Sequence, residues 1–318
     1  MDVSIIIVNY NTKQLLSDCL KSIYEQTKDI DFEVIISDNG SVDGSIEMLK
    51  NDFPQVVLLE NNANLGFGAA NNRGLTVAKG KYIFYLNSDT ILLNNAVKHF
   101  FDYFEENGEK ENIGALGCLL KNKDHGQALS GGAFLGKNLK LAIFLKNHFY
   151  YIFSSYYKAI KHYLFGYQLK KIIDTPKEII QNEGFVDSII GADLFLKNNE
   201  FARFDENYFM YCEEVDLQYQ MYKNGLNRKL IASPQIIHLE GCSSKKEVFE
   251  VLDLASFSKI NDTISRIYFL KKNKLNRIKI FIIQIMTLIL WINPLIFSST
   301  KTYIKYIFQP EKRKNKDC

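Results

Sequence analysis

Three carboxylates crowd into four residues of FMYCEEVDL at 209–217: Glu213, Glu214 and Asp216. Such a cluster suits general-base chemistry, in which one carboxylate takes the proton of an attacking hydroxyl. It also suits a helix N-terminus, where acidic side chains are favoured by the dipole. On a helix, Glu213 and Asp216 share a face and Glu214 points about 100° away. A further acid stands in NSDT at 87–90, where Asp89 offers the hard oxygen that a divalent cation takes. His238 follows the apolar run of PQIIHLEG, and by itself reads as a satisfied core or edge histidine. Asp38 lies in SDNGS, which is also good turn chemistry. In NLGFGAANNRG at 64–74, Gly66 and Gly68 allow a ligand to approach the backbone before a helix starts, with Asn64, Asn71 and Arg73 as the polar groups.

The elements that must hold these residues alternate. VSIIIVNY at 3–10 is a β-branched run fit for a central parallel strand. FEVIISDN at 32–39, VVLLEN at 56–61 and KYIFYLNSD at 81–89 are three more strands. Between them the spacing predicts helices over 12–27, with Thr12 as N-cap, over 43–50, opened by Asp43, and over 67–79. Four strand–helix alternations imply a doubly wound α/β sheet, whose ligands bind outside the carboxyl ends of the strands. Each strand ends in candidate ligands: Asn9, Tyr10 and Asn11; Asp38 and Asn39; Asn61 to Asn64; Asn87 to Asp89.

Those ends also carry a family likeness. IIIVNYN, SDNGSVDGS, NLGFGAANNRG, AKGKYIFYLNSDT and FDENYFMYCEEVDL resemble the inverting family 2 glycosyltransferases of the GT-A fold, and within them the rhamnosyltransferase-like branch. The likeness runs over about residues 3–245, with a divergent stretch at 135–180. It implies a Rossmann-like nucleotide-binding half and an acceptor-binding half around a mostly parallel mixed sheet. It assigns Asp38 and Tyr10 to the base of a nucleoside-diphosphate sugar, and Asn9, Asn11, Asn39, Asn64, Gly66, Phe67, Asn71 and Arg73 to the same donor. It puts Mg²⁺ or Mn²⁺ on Asp89, with His238 as a second ligand and Asn87 as a neutral contact where the family usually has aspartate. Gly191, Ala192 and Asp193 fall near donor sugar and acceptor. Glu214 takes the place of the usual base, flanked by Glu213 and Asp216, and Asp205 and Glu206 shape the acceptor loop. The donor implied first is dTDP-rhamnose and the acceptor a glycan, free or lipid-linked. A nucleotidyltransferase of similar fold would want a lysine-rich loop after the first strand, which residues 9–12 lack. A non-catalytic scaffold is opposed by Asp38, Asp89 and Glu214.

Of 318 residues, 47% are hydrophobic and 24% charged, which excludes disorder throughout. Residues 1–256 carry a balance of −7 and residues 257–318 one of +10, so the expected division is a catalytic domain to residue 256 and a basic C-terminal region. From His125 to Ile173 there is no acidic residue, and 137–171 holds seven lysines and ten Phe or Tyr. KIFIIQIMTLILWINPLIF at 279–297 is near spanning length, but Gln284, Asn293 and Pro294 interrupt it, which suits an in-plane helix better than a span. Both stretches point to peripheral contact with the cytoplasmic membrane face and not to nucleic acid. Five scattered cysteines (Cys19, Cys118, Cys212, Cys242, Cys318) without a CxxC pair suit reduced thiols, and MDVSIIIVNYN has no signal-peptide pattern.

Overall fold

The computed structural model describes residues 1–134, 141–170, 181–239, 249, 251–274 and 277–313. Strand β1 (Val3–Asn9) leads into helix α1 (Lys13–Gln26), β2 (Phe32–Asp38) into α2 (Ser45–Asp52), and β3 (Val57–Glu60) into α3 (Phe67–Leu75). Strand β4 (Tyr82–Leu86) passes through the short β5 (Thr90–Leu92) into α4 (Ala96–Asn107). There follow β6 (Ile113–Cys118), β7 (Gly131–Gly132), α5 (Leu141–Phe165), β8 (Gly184–Val186), β9 (Ser188–Ile189) and β10 (Asp193–Lys197). Helix α6 (Glu213–Lys223), β11 (Asn227–Ile231) and β12 (Ile236–His238) complete the sheets, and α7 (Phe257–Lys272), α8 (Arg277–Trp291), α9 (Phe297–Thr300) and α10 (Ile304–Phe308) close the chain.

The main sheet has the order β3-β2-β1-β4-β10-β6-β11-β8. Neighbours among β3, β2, β1 and β4 are parallel, as are β6 and β11. Strand β10 runs antiparallel between β4 and β6, and β8 is antiparallel at the edge. This is the mostly parallel mixed sheet expected. Side chains alternate across it. Ile5, Ile7, Val34, Ile36 and Phe84 enter one core with α1, α2 and α4, while Ile6, Ile35, Ile83 and Tyr85 enter the other, which includes Leu217 and Met221 of α6.

Several boundaries shift from expectation: the helix expected over 43–50 and opened by Asp43 runs Ser45–Asp52 behind Gly44. The strand expected to reach residue 89 stops at Leu86, and the helix expected to reach 79 stops at Leu75. Thr12 does precede α1, but its hydroxyl donates to Asn9 Oδ1 at 2.7 Å and makes no side-chain cap bond. Of the divergent stretch, residues 135–140 and 171–180 lie outside the described residues, and α5 occupies its middle. Cys19, Cys118 and Cys212 are buried free thiols, whereas Cys242 and Cys318 lie outside the described residues.

The expected break at residue 256 is not a break in packing. Phe269, Leu270 and Ile280 share a core with Tyr208 and Cys212. Lys272 Nζ in α7 donates to Asp205 Oδ2 at 2.7 Å and to Asp216 Oδ2 at 2.5 Å. Arg313 is buried over the rings of Phe209, Tyr303 and Tyr306, at 5.2, 5.0 and 5.6 Å. The polar residues that interrupt the apolar stretch have internal partners: Gln284 Nε2 donates to Ile307 O at 2.7 Å and Asn293 Nδ2 to Ser155 Oγ at 3.3 Å. Among the described residues, no helix is long and apolar enough to cross a membrane.

Burial alone would lower the Lys272 pKa, but its bonds to Asp205 and Asp216 outweigh that and raise it. Burial would likewise raise Asp205, and Lys272 brings it below its ordinary value. A raised lysine contributes stability below its unfolded pKa and loses it as pH rises through the folded one; a depressed aspartate contributes above its unfolded pKa and loses it as pH falls. The clamp therefore acts across the neutral range. Replacing Lys272 by Met strands the buried Asp216 and should cost about 2 kcal/mol in urea unfolding, with Lys272→Arg retaining most of it.

Candidate functional site

At the carboxyl edge of the sheet, a polar floor is built first. Asp38 is 0% exposed. Its Oδ2 accepts from Asn9 Nδ2 at 2.7 Å, and its Oδ1 accepts from the backbone N–H of Gly40 at 3.0 Å and of Ser41 at 2.8 Å. Asn9 and Asn39 are buried too. Asn39 Oδ1 accepts from Asn61, and its amide donates to Gly66 O at 3.2 Å and Asn64 Oδ1 at 3.4 Å. In this arrangement Asp38, Asn9 and Asn39 are buried and shape the loop, whereas Asn64 is half-buried. Tyr10, 48% exposed, and the exposed Asn11 are the open groups at this corner.

Strand β12 pairs antiparallel with β5, setting His238 opposite Thr90. That register brings two residues 149 positions apart together: His238 Nε2 lies 3.3 Å from Asp89 Oδ1. Beside them the N–H of Asn87 donates to Ala192 O at 3.0 Å, so the Gly191–Ala192 turn crosses the end of β4. Asp193 goes under the site and not into it. It is fully buried, and one oxygen accepts the N–H of Cys118 at 2.6 Å. Burial pushes its pKa up to about 7, against the bonds from Cys118 and the nearby His238.

The third wall is the start of α6. Gly66, at φ +86, stands where a Cβ would come within 2.1 Å of Phe209 O, and the Phe67 N–H donates to that carbonyl at 3.1 Å. Tyr211 and Cys212 then take φ of +70 and +65, two consecutive non-glycine residues in the left-handed region. The strain aims Glu213 inward. Glu213 is buried, its Oε2 has no hydrogen-bond partner among the described residues, and burial first, then the charge of Glu214, push its pKa well above the carboxylate range. Glu214 is half-buried, raised by burial and by Asp262, with Arg266 opposing. A Cβ on Gly191 would lie 3.5 Å from Glu214 Cγ and 3.7 Å from Phe67, ordinary contact distances that place this turn against the Glu214 stem and the ring. Both glutamates are thus pushed up by burial, Glu213 furthest.

Three of the expected residues are engaged elsewhere or lie further off in this arrangement. Asp216 is buried on the face of α6 that meets α7, bound to Lys272 and to Asn273 Nδ2 at 3.2 Å, so it is a structural anchor. Asn71 is buried and donates to Phe67 O at 3.1 Å within its own helix. Arg73 is exposed in the last turn of α3, six residues and about 9 Å down the axis from Phe67. Sequence reasoning missed Gln218, whose amide bonds both ways to Ile189 (2.7 and 2.8 Å) and to Glu214 O at 3.0 Å, tying the Gly191 turn to α6. Its only signal is a polar residue four places after Glu214. Arg266 was missed as well; its i,i+4 pairing with Asp262 at 2.7 Å was the visible sign.

Asp89 and His238 suit a hard divalent cation. Among the described residues no group of three or more His, Cys, Asp or Glu side chains could hold a metal ion. The pair therefore fits a cation that brings oxygen ligands of its own, as one riding on a diphosphate does. Residues 4–158 match the model of glycosyl transferase family 2. The chain carries a family 2 glycosyltransferase domain. It is 35% identical over 121 residues to a poly(ribitol-phosphate) beta-glucosyltransferase of Bacillus spizizenii, covering 36% of this chain and 19% of that one. It is 27% identical over 284 residues to the uncharacterized glycosyltransferase YfnE of Bacillus subtilis, covering 79% and 68%. A mannosyltransferase of Pyrobaculum calidifontis, solved with GDP-Man and Mn²⁺, superposes with a TM-score of 0.53 at 14% identity, over 94% of this chain and 73% of that one. With the sheet order, this establishes the GT-A fold.

In this glycosyltransferase domain the role of Asp38 is directly testable. Asp38→Asn keeps an oxygen for the Gly40 and Ser41 N–H groups only by turning its NH2 onto the donor Asn9 Nδ2, and should cost about 1–3 kcal/mol in urea unfolding. Unchanged stability with lost nucleotide binding would return Asp38 to the base.

Proposed function

We propose that the chain transfers a sugar from a nucleoside-diphosphate donor to a hydroxyl of a glycan acceptor, with inversion. One observation carries this: the Gly191–Ala192 turn is bonded through Ala192 O to Asn87, two residues before the Asp89–His238 pair, while its Gly191 lies against Glu214. A diphosphate held at that pair and an acceptor hydroxyl at Glu214 would present the anomeric carbon between them. A divalent cation on Asp89 and His238 would supply charge neutralisation to the departing diphosphate. Glu214 takes the acceptor proton as the oxygen attacks in line, and one base with no covalent nucleophile gives inversion. Glu213, favouring its neutral form, keeps a second negative charge away from that base.

The finer reading is rhamnose from dTDP-rhamnose, on the motif resemblance, delivered to a surface or lipid-linked polysaccharide. The Bacillus spizizenii relative supports a teichoic-acid or polysaccharide type of acceptor and makes glucose the competing donor sugar. Release of free nucleoside diphosphate from a panel of dTDP- and UDP-sugars, with and without Mn²⁺, tests the class and the sugar together.

Glu214→Gln should lower turnover about 10²–10⁴-fold with nucleotide affinity kept. Because the Glu214 pKa is raised and the base must be ionised, kcat/KM should fall on the acid side at a pH above the ordinary glutamate value of about 4.3. If Glu214→Gln keeps full turnover, the base lies elsewhere.

Asp89→Ala removes the one carboxylate of the cation pair. Calorimetric titration with dTDP should show Mn²⁺-dependent binding in the parent and none in the variant. Equal affinity in both would misplace the diphosphate.

A further inference from the structure

Two stretches that the transfer chemistry does not use meet in space. Helices α5 and α8 pack together: Tyr156 Oη donates to Ile289 O at 2.9 Å and Tyr163 Oη to Pro294 O at 3.4 Å, over the buried Ser155 and Ala159. Neither helix spends its whole apolar surface on that contact. On α5, Phe153 (72% exposed), Tyr157 and Leu164 (71%) fall within about 40° at 100° per residue, the middle of a broader exposed apolar face of about 200° that runs from Tyr163 to Phe165. On α8, Ile278 (71%), Phe281 (59%) and Ile289 (38%) fall within about 80°, off the face that buries Ile280, Gln284 and Trp291. Scattered exposed apolar residues are ordinary, but aligned stripes on two touching helices form a patch that needs a partner.

We propose that the exposed faces of α5 and α8 form one docking surface for an anionic lipid bilayer, with both helices lying in its plane. Charge selects this partner. No acidic residue occurs between His125 and Ile173, nor between Thr263 and Pro310, so both helices and their flanks are free of negative charge. Lys161 Nζ sits 4.8 Å from the centre of the Tyr157 ring, an ammonium at the rim of an aromatic stripe, the arrangement that suits headgroup depth. A second copy of this chain would set like charge against like across a two-fold contact, which opposes self-association. The in-plane pose rests on length and composition, since among the described residues no helix qualifies to span. This docking is independent of the sugar chemistry, and vesicle binding reads it without any turnover.

The test is co-sedimentation of the full chain with phosphatidylcholine vesicles, with and without phosphatidylglycerol. Binding to the phosphatidylglycerol vesicles, weakened by salt, is expected. The double variant Phe153→Ser, Phe281→Ser should lose about tenfold in that affinity. Lys161→Glu should weaken binding to anionic vesicles at an unchanged melting temperature, keeping the proposal testable should the double variant misfold. Absence of binding to anionic vesicles overturns the proposal, as does unchanged binding by a folded double variant. A dimer in sedimentation velocity that the same substitutions dissolve, without vesicle binding, would assign the face to a second copy.

Discussion

One antiparallel strand holds the two halves of the molecule to a common edge. Strand β10 hydrogen-bonds β4 on one side and β6 on the other, and it begins where β4 ends, Asp193 opposite Leu86. A parallel strand in that slot would begin at the far edge of the sheet. Reversal instead makes the chain enter β10 across the strand ends, and so lays Gly191–Ala192 beside Asn87. Asp193 is the footing of that turn, buried with the Cys118 N–H donated to it. The site exists because the chain must pass through it to begin the strand.

Around that edge one functional group has been put to different uses by its surroundings. Asp38 has its oxygens filled by one amide and two backbone N–H groups, and it shapes a loop. Asp216 meets an ammonium and anchors a helix. Asp89 meets an imidazole edge at 3.3 Å and keeps capacity for a cation. Glu213 is buried with an unpartnered oxygen and is pushed up by burial and by Glu214, while Glu214, one residue on and about 100° round the helix, is half-buried beside Gly191. Residue type names none of these roles; neighbours within about 3 Å do.

That explains how much was legible beforehand. Hydrophobic periodicity reports which face of an element is buried, so the strands, their order of appearance and the polar residues at their ends could be read from Val3 to Asp89. The same geometry put Glu213 and Asp216 on one face and Glu214 on another. Periodicity does not report which partner waits on the buried face. Lys272 lies 56 residues beyond Asp216, inside a region that composition marked as separate, and nothing in either segment announces their bond. The change of charge at residue 256 is a property of solvent-facing residues, and α7 is joined to the catalytic half by Phe269, Leu270 and Lys272, which a charge count does not weigh. Arg73 was drawn into the site by its place in a motif, although a helix carries a residue six places on nearly two turns away from its start.

The strained approach to Glu213 shows why the C-terminal helices cannot be a mere appendage. Two successive non-glycine residues at positive φ persist only where the surroundings over-determine them. Beside the bond from Phe67 of α3, those restraints come from α7 and from Arg313. Ser265 Oγ donates to Met210 O at 2.8 Å, the Phe257 ring meets Phe209 edge-on with centroids 6.0 Å apart, and Arg313 covers Phe209 from the other end of the chain. Lys272 then fixes Asp205 before the bend and Asp216 after it, so both ends of the strained segment are tied to one ammonium. Loss of that hold would free Tyr211 and Cys212 to relax toward ordinary backbone, and with them the start of α6 that carries Glu214. The basic C-terminal region thus sets the aim of the carboxylate proposed as base, and the same helices carry the face proposed to lie on lipid.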